Sequence, residues 1–360
     1  MIDSADLLQV FGKDVLVVPG VEGASEIFRK RKIAKYVNIK ENEIITATAP
    51  GGSIKLLGHF VAVDRRFNQV SKSTGAVVLA IRGTYTISNL QIDAMAMSTP
   101  FCAGSAHSGI ATRADILWES VKGTVVHELK KNPGYDLVIC GHSLGAGCAA
   151  LLALKLNYEK LLEKEDASLR DVTITCFAFA PPPVYLQTDR SKDSEVSLAM
   201  KNTYSFIHEN DCVPFLSVDA VRRLNSTVTK VNKKSNLIAR PLIAAGLKKV
   251  PQDIVDVVVD DSNDLPPVNN APPLAIPSPF VVWLRSIADD NEGRPKYDAM
   301  ICRPKRASGS AYGTNDLSIL VSWDMISDHM NPQYERAISS VLEQILNDRI
   351  PGYVFPSCDV

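Results

Sequence analysis

Apolar runs and the residues that interrupt them divide this chain into short strands and longer helices. "GHFVAVDRRFNQV" and "GAVVLAIRGT" each hold a dense apolar run, and a polar Ser/Lys/Thr stretch separates them, which predicts a hairpin. Over residues 108–131 the positions Ile110, Leu117, Val121, Val125 and Leu129 fall near helical spacing, and Asn132-Pro133-Gly134 ends the run. "YDLVIC" is continuously apolar, the pattern of a strand covered on both faces. A helix of about five turns is expected from Leu144 to Lys164. Strand "DVTITCFAF" follows, stopped by Pro181-Pro182-Pro183, and then strand "TYSFI", ended by "HEND". Alternation of this kind implies an α/β fold with a mostly parallel central sheet covered by helices on both faces.

Beyond Leu216 the pattern changes. Residues 222–249 hold eight Lys/Arg and no acid, residues 253–264 hold five Asp, and residues 265–279 hold six Pro. The expected organisation is a single domain over 1–360 with an insertion at about 217–279. After it, "PFVVWLRS" and "YDAMICRP" flank "IADDNEGRPK" as a second hairpin, and "NPQYERAISSVLEQILNDRI" reads as a closing amphipathic helix.

Composition narrows the classes. Hydrophobic residues at 46% suffice for a large core, and a formal net charge of -1 excludes nucleic acid as an expected partner. The seven cysteines are odd in number, and their spacings match no zinc or disulfide framework, so a reduced, intracellular protein is expected. "MIDSADLLQVFGKDVLVVPG" has no basic region ahead of its apolar residues and does not read as a signal peptide. With no run of 18 uncharged apolar residues, no transmembrane helix is expected. The expected location is cytoplasmic, with peripheral membrane contact left open.

Gly141-His142-Ser143-Leu144-Gly145 fits G-x-S-x-G at a strand-to-helix junction. Such an elbow forces a strained serine backbone and lifts the hydroxyl clear of the sheet edge. Small residues Gly145, Ala146, Gly147, Ala149 and Ala150 let the following helix approach the sheet. A serine hydroxyl needs a base, and the base needs an orienting acid, in the chain order Ser, acid, His. Asp211 lies just past a strand, and only His329 follows it, so order selects His329. Glu209 and Asp328 compete with Asp211 as the acid. Oxyanion donors are expected from the Leu144 N–H and from Thr84, after the strand that ends at Arg82-Gly83.

"IRGT", "AHSGI", "GHSLGAG", "FAPPPV", "HENDCVPFLS" and "DHMNPQYE" resemble, in order, blocks of the class 3 (fungal-type) lipases, and the last and fourth resemble the diacylglycerol lipase-like branch. The resemblance covers most of residues 55–345 but not the insertion from 222 to 275. It implies an α/β-hydrolase fold, with Ser143 as nucleophile, Asp211 as acid, His329 as base, and Thr84 and Leu144 as oxyanion donors. It further implies that Asp93 supports the Thr84 hydroxyl, and that residues 85–98 are a lid. There Ile87, Leu90, Ala94 and Met97 share one helical face, with Met95 close by, a face that a core-packed helix would also show.

The expected activity is cleavage of carboxylic esters of glycerolipids through an acyl-serine, with no metal or organic cofactor. Soluble-ester or feruloyl esterase and phospholipase A1 are alternatives within that chemistry, and a non-catalytic lipid-binding scaffold lies outside it. The basic run 222–249 beside "NLIARPLIAAGLKK" is a candidate contact for an anionic membrane or lipid-droplet surface; a solvated loop is the other reading.

Overall fold

The structure, a computed structural model, describes residues 26–49, 56–65, 74–83, 98–216, 274–289, 295–303, 324, 327–348 and 357–359. In chain order the elements are α1 (Glu26–Tyr36), β1 (Ile44–Thr48), β2 (His59–Asp64), β3 (Gly75–Ile81), β4 (Ser98–Phe101), β5 (Gly104–His107) and α2 (Ser108–Lys131). Then come β6 (Tyr135–His142), α3 (Leu144–Tyr158), α4 (Leu161–Glu165), β7 (Ile174–Phe179), β8 (Tyr185–Gln187), α5 (Asp193–Met200) and β9 (Thr203–His208). The chain closes with β10 (Phe280–Asp289), β11 (Pro295–Arg303), α6 (Asn331–Asp348) and β12 (Ser357–Asp359).

Among the described residues, nine strands form one sheet in the order β1-β2-β3-β6-β7-β9-β10-β11-β12. Its centre, from β3 through β6, β7 and β9 to β10, is parallel; the β1–β2, β2–β3 and β10–β11 pairs are antiparallel. The two expected hairpins are the antiparallel pairs β2–β3 and β10–β11.

Alternation along the strands sends neighbouring residues to opposite faces. Val77, Leu79, Ile81, Leu137 and Ile139 join α2, α3 and α5 in the largest core cluster. Ala76, Val78, Ala80, Val138 and Cys140 face the other way and pack with α1. On that second face, farther along the sheet, Phe179 and Leu284 pack with Tyr334 and Ala337 of α6. The continuously apolar run of β6 therefore has a use for every residue.

The helix expected over Leu144–Lys164 is two helices. Lys160 turns left-handed at φ 53°, which breaks the hydrogen-bond ladder, and α4 restarts at Leu161. No glycine or proline marks that break. A second, three-stranded sheet, β4-β5-β8, was also not foreseen. Its hairpin turns through Cys102 and Ala103, both at positive φ, and is fastened by the Tyr185 hydroxyl, which donates to the Cys102 carbonyl at 2.6 Å.

The last residues of the expected insertion return to the body of the protein. Ala275 exchanges backbone bonds with Tyr185, and Ala275 and Ile276 are buried. Cys102, Cys140, Cys148, Cys176 and Cys212 are free and buried. The expectation of a wholly reduced set fails at Cys302, which is disulfide-bonded. In backbone register, β11 and β12 set position 358 opposite position 302, two strands far apart in sequence. No helix among the described residues is long and apolar enough to cross a membrane.

Candidate active site

Three chain segments meet at the carboxyl ends of the parallel strands. The first is the β6–α3 junction. Ser143 sits there at φ 58°, ψ −128°, a conformation that L residues rarely adopt and that the surrounding bonds must impose. The Ser143 N–H bonds to the Phe179 carbonyl at 2.9 Å, and the Ser143 carbonyl accepts from Ala146 N–H at 2.9 Å. A side chain at Gly141 would strike the Gly145 carbonyl, and one at Gly145 would strike the Ile81 carbonyl. Both glycines are thus required by close backbone approach. Leu144, fully buried, opens α3, where the first N–H groups have no intrahelical acceptor.

The second segment leaves β9 as His208-Glu209-Asn210-Asp211. Asp211 is wholly buried, and its N–H bonds back to the His208 carbonyl at 2.9 Å. The Val213 N–H donates to one carboxylate oxygen at 2.9 Å, and the Tyr334 hydroxyl donates to the other at 2.6 Å. The third segment is the turn before α6, which carries His329. Its Nδ1 stands 3.0 Å from both Asp211 oxygens, and its Nε2 stands 3.0 Å from Ser143 Oγ.

These contacts set the proton positions. A carboxylate only accepts, so Nδ1 of His329 carries a hydrogen and Nε2 is free to accept from the serine hydroxyl. Burial opposes the charge on Asp211, but the His329 ring, the Tyr334 hydroxyl and the Val213 N–H together hold its carboxyl below the usual range. Burial and the adjoining carboxylate push the Tyr334 hydroxyl well above its ordinary pKa, so it stays a donor.

The competing acids are engaged elsewhere. Glu209 accepts from the Ser286 N–H on β10. Asp328 accepts from the Asn210 N–H at 3.2 Å. Spacing gave no hint of Tyr334; its phenol lies five residues past His329, at a helical position that reads as core. His142 was expected only as an elbow residue. Its ring lies 4.7 Å from that of His329, and Nε2 donates to the His329 carbonyl at 2.9 Å.

Gly83 lies against the elbow: a side chain there would come within 2.6 Å of the His142 carbonyl and 3.1 Å of Ser143 Cβ. Thr84, Asp93 and the expected lid residues Ile87, Leu90, Ala94, Met95 and Met97 lie outside the described residues, as do the basic and acidic runs of the insertion.

Comparison with known proteins adds a partial family match. Residues 78–220 match the class 3 lipases. Secreted mono- and diacylglycerol lipase A of Penicillium camembertii is 34% identical over 164 residues, covering 44% of this chain and 46% of that protein. Diacylglycerol lipase-beta of Mus musculus is 32% identical over 175 residues, covering 44% of this chain and 23% of that protein. The chain thus spans less than half the length of these curated relatives. Among solved structures, a Rhizomucor miehei triacylglyceride lipase aligns at 18% identity with a TM-score of 0.42, over 60% of this chain and 72% of that one. The family match includes Ser143 and Asp211 and stops before His329, whose place rests on geometry. Over residues 78–220, the stretch that builds the serine elbow and the acid turn, this chain is similar to the class 3 lipases.

Proposed function

We propose that the protein is a serine hydrolase that cleaves carboxylic esters of glycerolipids through an acyl-serine intermediate. The observation that carries this reading is the continuous chain from Ser143 Oγ through His329 to Asp211, with both ring nitrogens at 3.0 Å from their partners. In the proposed sequence His329 Nε2 takes the hydroxyl proton as Ser143 Oγ attacks the ester carbonyl. Asp211 stabilises the imidazolium without taking its proton. The tetrahedral oxyanion is received by the Leu144 N–H, with Thr84 as the second donor and Asp93 supporting it. His329 then protonates the leaving alcohol. Water, deprotonated by the same nitrogen, releases the fatty acid and restores the hydroxyl.

Glycerolipid is the proposed substrate class because the relatives are named for mono- and diacylglycerol. The segment containing Ile87, Leu90, Met95 and Met97 is proposed as the cover of the acyl site, and the basic run 222–249 as a contact for anionic lipid; both proposals are supported by sequence pattern alone. Hydrolysis of dispersed diacylglycerol, followed by fatty-acid release, tests the reading. Release by the native protein and its loss in Ser143→Ala is the expected result; equal release by both would refute it.

A further inference from the structure

Each of the three segments at the site carries a histidine, and among the described residues only the His329 ring bonds to Ser143 Oγ. The other two point their rings at the turn that holds His329. His142, the residue before Ser143, donates Nε2–H to the His329 carbonyl at 2.9 Å. His208, the last residue of β9, donates Nδ1–H to the Asp328 carbonyl at 3.2 Å. A carbonyl oxygen can only accept, so each bond fixes the tautomer of its ring.

We propose that His142 and His208 are positioning residues for the base. They pin two successive peptide carbonyls, one from the nucleophile segment and one from the acid segment, and so set where the His329 ring stands between Ser143 and Asp211. The inference rests on the hydrolase reading given above.

Three observations favour this over simple packing. First, the carbonyls are those of His329 itself and its immediate neighbour, so a shift at either transmits directly to the ring. Second, the next residue, Met330, is 52% exposed, so the turn has an open side and is gripped from within. Third, His208 is a poor filler. Its ring lies between Tyr297 and Tyr334, at 5.4 and 5.5 Å, and its buried Nε2 has no partner among the described residues. A phenyl ring would occupy that space without a desolvated lone pair. The donor at Nδ1 is what phenylalanine could not supply.

Neutrality of both rings suits the role. Burial lowers the pKa of His142 to about 3, with the neighbouring His329 ring adding to the effect, and burial lowers that of His208. Neither ring then places a positive charge beside an imidazole that must itself become cationic.

The test pairs donor-free with donor-bearing replacements in the full chain. His142→Phe and His208→Phe keep an aromatic ring and lose the N–H. In His142→Gln the amide N–H falls near the place of Nε2–H, and in His208→Asn near that of Nδ1–H. With a soluble short-chain ester, each Phe variant is expected to lose about tenfold or more in kcat with KM within about twofold, because small misplacement of a reacting group costs rate. Labelling by a fluorophosphonate should slow in parallel. Gln at 142 and Asn at 208 should recover most of the loss. Should His142→Phe fail to fold, His142→Asn, one methylene too short to reach the carbonyl, takes its place against His142→Gln. Phe variants with native kcat, or Gln and Asn variants as slow as Phe, would overturn the proposal. Native protein that neither hydrolyses ester nor takes the label would instead remove the hydrolase reading beneath it.

Discussion

Two imidazole–carboxylate pairs lie side by side here, made from the same two segments with the partners exchanged. His329 of the turn before α6 meets Asp211 after β9 at 3.0 Å; His208 at the end of β9 meets Asp328 of that turn at 3.8 Å. The residue types are alike, and the surroundings differ. Asp211 receives three donors and is held ionised despite full burial, whereas burial raises Asp328 to about 6, with a single backbone donor opposing it. His329 has a serine hydroxyl at its far nitrogen; the far nitrogen of His208 is buried without a partner among the described residues. A histidine beside an aspartate is therefore not sufficient for general-base chemistry. The donors around the acid and the group at the outer nitrogen decide which pair can act.

Substitutions should separate the pairs sharply. The largest effect belongs to Ser143→Ala, with kcat on any accepted ester falling by about four or more orders of magnitude and the unfolding midpoint little changed. Next is Asp211→Asn, whose amide favours the wrong His329 tautomer; steady-state kinetics should show a loss of about three to four orders of magnitude in kcat. Asp328→Asn, the same change in the other pair, should stay within about tenfold of native, because the amide oxygen can still accept from Asn210 N–H. Equal losses in the two Asn variants would erase the distinction drawn between the pairs.

Tyr334→Phe removes a donor to Asp211 and the acceptor of the His208 backbone N–H, the latter at 3.0 Å. The expected cost is about 1–3 kcal/mol in denaturant unfolding, with a smaller loss of kcat than for Asp211→Asn. A further effect of similar size is in the pH dependence of stability. His142 is depressed to about 3 in the folded protein, below the ordinary histidine value of about 6.5 in the unfolded chain. Its contribution is complete above pH 6.5 and declines as pH falls toward 3, by about 2 kcal/mol at pH 5. Asp328 acts in the opposite sense, since a carboxyl raised to about 6 takes up a proton more readily when folded. Acid destabilisation should therefore be steeper in Asp328→Asn than in the native protein, as read from urea midpoints between pH 7 and pH 5.

The site was legible wherever local pattern and chain order determine the chemistry. Gly141 and Gly145 are required by backbone contacts within a few residues of Ser143 and with β3, so the elbow was written in one short stretch. Asp211 followed from its place after a strand, and His329 from being the only histidine beyond it. Tyr334 and the carbonyl bonds of His142 and His208 were not legible, because each depends on a pairing across 120 or more residues that leaves no periodic mark. In the fold, the central strands announced themselves by apolar runs. The α3–α4 break and the β4–β5 turn did not, because Lys160, Cys102 and Ala103 take left-handed conformations usually signalled by glycine or asparagine.

The central claim is that Ser143 Oγ is made nucleophilic by His329, and a fluorophosphonate tests it most directly, since the probe reacts only with an activated serine. Intact-mass and peptide mass spectrometry of the native protein should show one adduct, on Ser143, absent from Ser143→Ala and formed far more slowly in His329→Ala. Labelling that persists in Ser143→Ala, or that proceeds at the native rate without His329, would contradict the account.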